Sequence, residues 1–522
     1  MLSPRPVADT KGCSSFRPTS RSHAMHPKLA LAIVSTSGLL FAQGDFNYDK
    51  VTPGTLGSTL TMAVNNAGLN QPLLGMVSGT TGPTPVALID PLDTRSVAVG
   101  IELLGNWSLQ LTNGAGAATI AVPIPTGVAF QGFVFYWQCA TFPGVTTFID
   151  EISNSLSTMH AMPGTSAALP NGLATARAAA TVVRTPTHNA GLGDFLLVSG
   201  ATTEFFGFRD FASTPGPTMV TPRGLHAAAT LNDGRVLFTG GVDGLGVVTT
   251  ACEVYDPVAN TFTAVAPLLG LRAGHAAATL PDGRVMVVGG TTNFADLTAA
   301  ITTALNTTEI WNPATNVWTA GPVIGGRRIV PSLTRLGNGR MLVAGGIEVT
   351  LLFGIPIALT STNKAQLYNP ATNTWSNAAN MPVGRAYHQD NQVTLADGRV
   401  LLSGGVLVPD LINAANAASI ANADAYNPTT NTWTATTMSL ARTGHAATRL
   451  ANGDVIVTGG ASGLVSAAVP TAAIARYVPS TNTWTDIGAM TTARVGHASV
   501  LLPDGMMVIV GGAGTTNEAM HF

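Results

Sequence analysis

Residues 272–290, RAGHAAATLPDGRVMVVGG, constrain the fold more than any other stretch of the chain. Two apolar runs, 275–280 and 284–288, flank Asp282-Gly283, a pair that supplies the positive φ values expected of a tight hairpin turn. Related copies occupy 223–241, 328–346, 385–405, 442–460 and 494–512, and a looser one runs from Arg177 to Gly200. Their second glycines fall at 241, 290, 346, 405, 460 and 512, so the period is 49 to 59 residues. A period of that length built from short strands predicts radially repeated four-stranded sheets.

The first five of these glycine pairs are each followed by a second recurring half. It reads Glu253-Val-Tyr-Asp-Pro257 with Phe262, Glu309-Ile-Trp-Asn-Pro313 with Trp318, and Gln366-Leu-Tyr-Asn-Pro370 with Trp375. It continues as Asp424-Ala-Tyr-Asn-Pro428 with Trp433 and Arg476-Tyr-Val-Pro479 with Trp484. Each is a short aromatic strand, an Asp/Asn-Pro turn, and a last strand opened by Trp or Phe. These units resemble kelch-repeat β-propellers, of the kind also found in galactose oxidase, across about residues 175–522. The resemblance implies an all-β propeller, and the seven visible hairpins predict seven blades, or six if 177–223 folds as a linker. Small Ala-rich first strands and bulky Trp strands at the end of each unit suit blades that converge on an axis. The last unit stops at Phe522 without a Trp strand, and the segment 152–162 is expected to close the ring as its fourth strand.

The preceding segments differ. Residues 1–24 are polar and aperiodic and read as a disordered extension, outside the protein altogether if translation begins at Met25. Residues 25–44 have a basic start, an apolar run at 29–41 and Ala42-Gln43-Gly44, the pattern of a secretory signal peptide. The apolar run is too short to span a bilayer. Residues 45–150 lack the repeat but show alternating segments. In the strand expected over 132–140, Phe133, Phe135, Trp137 and Cys139 share one face, so a small β-sandwich is expected before a propeller over 151–522. Cys139 and Cys252 are expected as buried free thiols. Only 10% of residues are charged and the net charge is −2, which supplies no basic surface for nucleic acid.

Strand direction places the starts of the repeats, Arg-x-x-His, on the same face as the insertions 291–308, 347–364, 406–423 and 461–473. The pairs Arg223/His226, Arg272/His275, Arg442/His445 and Arg494/His497 recur, as does Arg385/His388. A residue needed in every unit is explained by what every unit shares, so these pairs are read as structural joints between blades. Departures from the repeat are the candidate binding positions on the insertion face: Arg327, Arg328, Arg385, Tyr387, His388, Asp390, Leu352 and Phe353. The apolar insertions are expected to be partly buried against the sandwich in blade four and exposed in blades five and six. Asp296, Asp390 and Asp410 are the acids worth inspecting on this face.

Tyr387-His388 resembles the adjacent Tyr-His copper ligands of galactose oxidase. Leu225 stands where the cross-linked tyrosine of that family would be, and no cysteine matches its thioether partner. No catalytic residue, metal or cofactor is therefore assigned, and copper is not expected. The preferred reading is an exported, non-enzymatic binding protein presenting a propeller face to a protein or glycan partner. A carbohydrate-active or galactose oxidase-like enzyme centred on Tyr387-His388, and a structural cell-envelope component, stay open as alternatives.

Overall fold

The computed structural model describes residues 47–522, apart from 51–54, 56–57, 68–69, 79–80, 86–95, 100–107, 125, 127–130, 143–151, 153–155, 161–164, 186–194, 201, 208–210, 389–390, 503 and 513. The expected extension and signal segment lie outside the described residues. Among those described, the chain is almost entirely β, and no helix is long and apolar enough to cross a membrane.

Two sheets come first. A three-stranded sheet joins Asn47–Lys50, Thr59–Asn65 and Ala118–Pro123, and a four-stranded sheet orders Ser108–Leu111, Pro72–Ser78, Val134–Thr141 and Leu156–Met159. The period-two pattern of Thr59–Asn65 buries Leu60, Met62 and Val64. They meet Ile120, Leu73, Val77, Trp137 and Cys139 in one core between the sheets. Phe135 packs at its margin, while Phe133 is exposed. Cys139 and, far along the chain, Cys252 are buried, and neither forms a disulfide.

The repeat region forms seven four-stranded antiparallel sheets among the described residues. The first runs from Thr181–Arg184 to Ser213–Pro215, so residues 177–223 build a sheet rather than a linker. The next five run from Ala227–Thr230 to Thr261–Val265, Ala276–Thr279 to Val317–Ala320, Ser332–Arg335 to Thr374–Asn377, Gln392–Thr394 to Thr432–Thr437, and Ala446–Arg449 to Thr483–Ala489. The second strand of each, such as Val285–Val288 or Val455–Thr458, is buried apart from the half-buried Ser199 of the first sheet, because sheets cover it on both faces. The outer strands are mostly exposed or half-buried, and from the second to the sixth sheet their Trp or Phe packs at a tilt against the aromatic of the third strand, as Trp433 does against Tyr426 at 47°.

The seventh sheet orders Ser166–Ala168, Glu518–Met520, Met507–Gly511 and His497–Leu501. Its outer strand therefore comes from before the repeats, but from Ser166–Ala168 and not from 152–162. Leu156–Met159 pairs instead with Val134–Thr141, where Leu156 faces Trp137 across the ladder. The side chain of Met159 joins Ala167, Phe195 and Val508 in a core shared by the N-terminal sheet, the first sheet and the seventh.

A second correction concerns the hairpin turns. Gly283 alone of the Asp-Gly pair has a positive φ, +87°. The amide of Gly283 donates to the Leu280 carbonyl at 3.0 Å and that of Leu280 to the Arg284 carbonyl at 2.7 Å. This is a three-residue turn with one left-handed glycine, and Pro281 fits its second position because proline presets φ.

Candidate functional site

The joint between sheets is built from the repeated residues. The second glycine of each pair donates its amide to the carbonyl of the next repeat's arginine: Gly241 to Arg272, Gly290 to Arg328, Gly346 to Arg385, Gly405 to Arg442 and Gly460 to Arg494, at 2.7–3.0 Å. Gly512 donates to Arg177 at 2.8 Å, so the last repeat is tied to the first in the same way. The first glycine of the pair leaves room for this contact. A Cβ at Gly459 would lie 2.7 Å from both the Arg494 carbonyl oxygen and His497 Cε1.

The histidines cross the same seam. His275 Nε2 shares a hydrogen bond with Thr239 Oγ1 at 2.8 Å, His445 Nε2 with Ser403 Oγ at 2.9 Å, and His497 Nε2 with Thr458 Oγ1 at 2.8 Å. His226 and His388 do the same with Thr181 and Ser332. Burial pushes the imidazoles below their ordinary value, His226 and His497 to about 4 and His388 to about 3.

The arginines turn inward within their own sheets. Arg177, Arg223, Arg272, Arg328, Arg385, Arg442 and Arg494 are all buried. Arg223 pairs with Glu253 at 2.7 Å, Arg272 with Glu309 at 2.7 Å, Arg177 with Glu204 at 2.9 Å and Arg494 with Glu518 at 2.9 Å. Arg385 pairs with Asp424. Arg328 meets the neutral Gln366 at 3.4 Å. Burial alone would raise the Glu518 carboxyl, but the Thr491 amide, Ser166 and Arg494 outweigh it and hold the group below the carboxylate range. The Asp424 carboxyl stays raised, because burial outweighs Arg385. These acids were missed as partners in the sequence. The available signal was an acid two residues before the aromatic of the third strand, in units that each open on an arginine.

Between arginine and histidine, the third position of Arg-x-x-His adopts a left-handed backbone in each repeat. It is Ala179, Leu225, Gly274, Val330, Tyr387, Gly444 and Gly496, with φ between +49° and +65°. Hydrogen bonds link several of them in succession: Ala179 N to Gly496 O and Gly496 N to Gly444 O at 2.7 Å, and Val330 N to Gly274 O at 2.8 Å. They therefore encircle the axial opening on the insertion face. A branched residue such as Val330 is strained in this conformation, which persists because the ring holds it. Leu225 and Tyr387 are the large side chains here that remain partly exposed, and desolvation raises the Tyr387 phenol.

Around that opening the insertions pack on one another. Ile301 of the short helix Leu297–Thr302, Ile329, Ile347, Val349, Leu359, Val406 and Val408 form one buried cluster. Blade four's insertion is thus buried among neighbouring insertions, not under the sandwich, and Val406 and Val408 of the next are buried rather than exposed. Its hairpin, Ile347–Leu352 with Ile355–Ser361, leaves its tip outside: Leu352 is 52% exposed, Phe353 96%, Ile355 65% and Ile357 55%. Leu464 and Val465 of the sixth sheet's insertion are also exposed.

The remaining predicted positions separate. Arg327 donates to the Ala304 carbonyl at 2.8 Å. Arg385 and His388 are buried in the joint, whereas Tyr387, Leu352 and Phe353 reach solvent. Asp390 lies outside the described residues. Asp296 caps the short helix by accepting from the Ala299 amide, and Asp410 accepts from the Asn413 amide at 2.7 Å. Among the described residues no three His, Cys, Asp or Glu side chains come together to hold a metal ion. The Tyr387-His388 pair does not fit copper as a ligand set, since the His388 ring is directed into the joint toward Ser332 and Leu225 supplies no donor.

Comparison with known proteins gives a consistent picture. The family described as "Kelch motif" matches residues 272–322 and 336–382. Two galactose oxidase sequences from Gibberella zeae are each 26% identical over 129 residues, 24% of this chain. The chain spans 16% of the length of these curated relatives. A solved structure described as a novel fungal alcohol oxidase of the AA5 family, in complex with copper, superposes with a TM-score of 0.50. It is 15% identical, covering 68% of this chain and 74% of that one.

Proposed function

We propose that this chain, which carries kelch motifs and is similar over part of its length to galactose oxidases, is an exported interaction protein whose insertion face docks a protein or glycan partner. The observation that carries this reading is the 347–361 hairpin. Its base is fixed by a buried apolar cluster, while its tip holds Leu352, Phe353, Ile355 and Ile357 in water. An apolar tip on a rigid base suits recognition, because little ordering is left to be done on binding. The apolar run 29–41 followed by Ala42-Gln43-Gly44 supports export. Titrating the purified protein against glycan and protein panels tests the reading. Binding that weakens on Leu352→Ser/Phe353→Ser supports it, and binding indifferent to those changes places the contact elsewhere.

The similarity to galactose oxidases favours a second reading, a carbohydrate-active enzyme at the axial opening beside Tyr387. Turnover of a carbohydrate substrate by the purified protein, abolished by Tyr387→Phe, would decide for it.

A further inference from the structure

The arginine–carboxylate pairs share a common cradle. Glu253 accepts from Arg223 Nη1 at 2.7 Å and from the amides of Val220 and Thr221 at 2.7 and 2.8 Å. Glu518 accepts from Arg494 Nη2 at 2.9 Å and from the amides of Thr491 and Thr492 at 2.7 and 3.0 Å. Glu309 likewise takes Arg272 Nη2 and the Leu269 amide, both at 2.7 Å. Gln366 takes the Gly325 amide at 3.0 Å with its carbonyl oxygen. In these sheets the donors are the arginine and amides two or three residues before it, whereas the shorter Asp424 takes Arg385 and leaves its Oδ1 without a partner.

The sixth sheet keeps the donors and changes the acceptor. Ser439 and Leu440 stand three and two residues before Arg442, and Ala475 stands where the other sheets place Glu, Gln or Asp. Arg442 is fully buried, and its Nη1 donates to the carbonyls of Gly459 at 3.1 Å and Ala473 at 2.9 Å. Its Nε and Nη2 are buried with no hydrogen-bond partner among the described residues. Alanine is shorter than glutamate by a whole carboxyethyl arm less its first carbon, about the size of a formate or acetate ion. The nearest acid is Asp486, opposite Ala475 on the outer strand. It accepts from Ser439 Oγ at 2.5 Å and makes no ion pair with Arg442 among the described residues.

We propose that Arg442, with the Ser439–Leu440 loop amides and Ala475, forms a binding site for a small monovalent anion of carboxylate size, which takes the place that a glutamate side chain fills in neighbouring sheets. Asp486 acts on Arg442 only across space; a buried guanidinium left without a hydrogen-bonded counter-charge is costly, and an anion at hydrogen-bonding distance from Nη2 relieves that cost. Asp486 lies close enough to oppose the anion, so its removal tightens binding.

The test is thermal unfolding of the full chain in sodium formate, with sodium chloride as a parallel arm, for the natural protein and for Ala475→Glu. Formate should raise the natural protein's Tm saturably by roughly 2 °C. The same titration of Ala475→Glu should show a higher starting Tm and no saturable rise, because the tethered carboxylate occupies the cradle. A saturable rise in chloride as well assigns the site to small anions generally; a rise confined to formate assigns it to carboxylates. A natural protein whose response to both salts matches that of Ala475→Glu overturns the proposal. Asp486→Asn gives an independent reading, with the formate midpoint expected to fall several-fold. An unchanged midpoint would place the anion elsewhere and also overturn it.

Discussion

The Arg-x-x-His joints and the 347–361 hairpin lie on the same face and use their residues in opposite ways. In the joints, polar and charged side chains are buried and their partners are internal: His275 on Thr239, Arg272 on Glu309. In the hairpin, apolar side chains are exposed and Phe353 has almost no cover. The joints repeat because each sheet must meet its neighbour in the same way, whereas the hairpin occurs once. Residues that look functional by chemistry are thus structural here, and residues that look like core by hydropathy are available for contact.

The strongest way to break this contrast is to open the ring. Glu518–Met520 pairs with both Ser166–Ala168 and Met507–Gly511, and the Gly512 amide holds Arg177. Deleting residues 512–522 leaves sheet edges at the seam and should abolish the single cooperative unfolding transition. Calorimetry that still shows one transition at the original Tm would mean that the seam does not hold the ring.

Next in size is a single joint charge. Glu309→Ala leaves the Arg272 guanidinium buried without its partner, and should cost about 3–5 kcal/mol in denaturant unfolding. The matching change in the sixth sheet is already present as Ala475. A loss below 1 kcal/mol at Glu309 would mean that water reaches Arg272 and that the joints are less sealed than the hydrogen bonds imply.

Acid should act on the joints before it acts on the carboxylates. His226 and His497 are held near 4 and His388 near 3 by burial, below the ordinary 6.5. The unfolded chain therefore takes up these protons first as pH falls. Their contribution is complete above about pH 6.5 and is lost progressively down to about pH 4 for His226 and His497 and about pH 3 for His388. Glu518, held below its usual value, keeps its charge through most of that window. Tm should fall between pH 7 and pH 5, and His275→Gln should make the fall shallower. A Tm constant over that interval would mean that the imidazoles are solvated.

Much of this architecture is legible in the amino-acid sequence because repetition averages out local ambiguity. The Asp-Gly turns, glycine pairs and aromatic strands recur with enough regularity to place the sheets. What escaped was non-local. The closing strand Ser166–Ala168 is three residues with no pattern of its own, selected by pairing with Glu518–Met520. The stronger-looking segment around Leu156 is taken by Trp137 and Phe135 of the N-terminal sheet. The pairing of Arg223 with Glu253 spans a hairpin and a loop, so only the recurrence of an acid two residues before the third-strand aromatic hints at it. The mutual burial of Ile301, Val349 and Val406 depends on three insertions meeting over the ring, which no single repeat specifies.

The smallest expected change in stability falls at the hairpin tip, and it sharpens the contrast most. Leu352 and Phe353 are 52% and 96% exposed, and Phe353 sits in the turn with a φ of +51°. Replacing both with serine removes little buried area, so denaturant unfolding should shift by no more than about 0.5 kcal/mol. Replacing Phe353 with glycine should be neutral or slightly stabilising, because glycine accepts a positive φ without penalty. By contrast, Val349→Ala, three residues from the tip and buried beside Ile347 and Leu359, should cost at least 1 kcal/mol. If the serine pair costs as much as Val349→Ala, the tip is covered in solution and belongs to the private core beneath it. If it costs nothing and partner binding is lost, the unrepeated hairpin is where the propeller meets its partner.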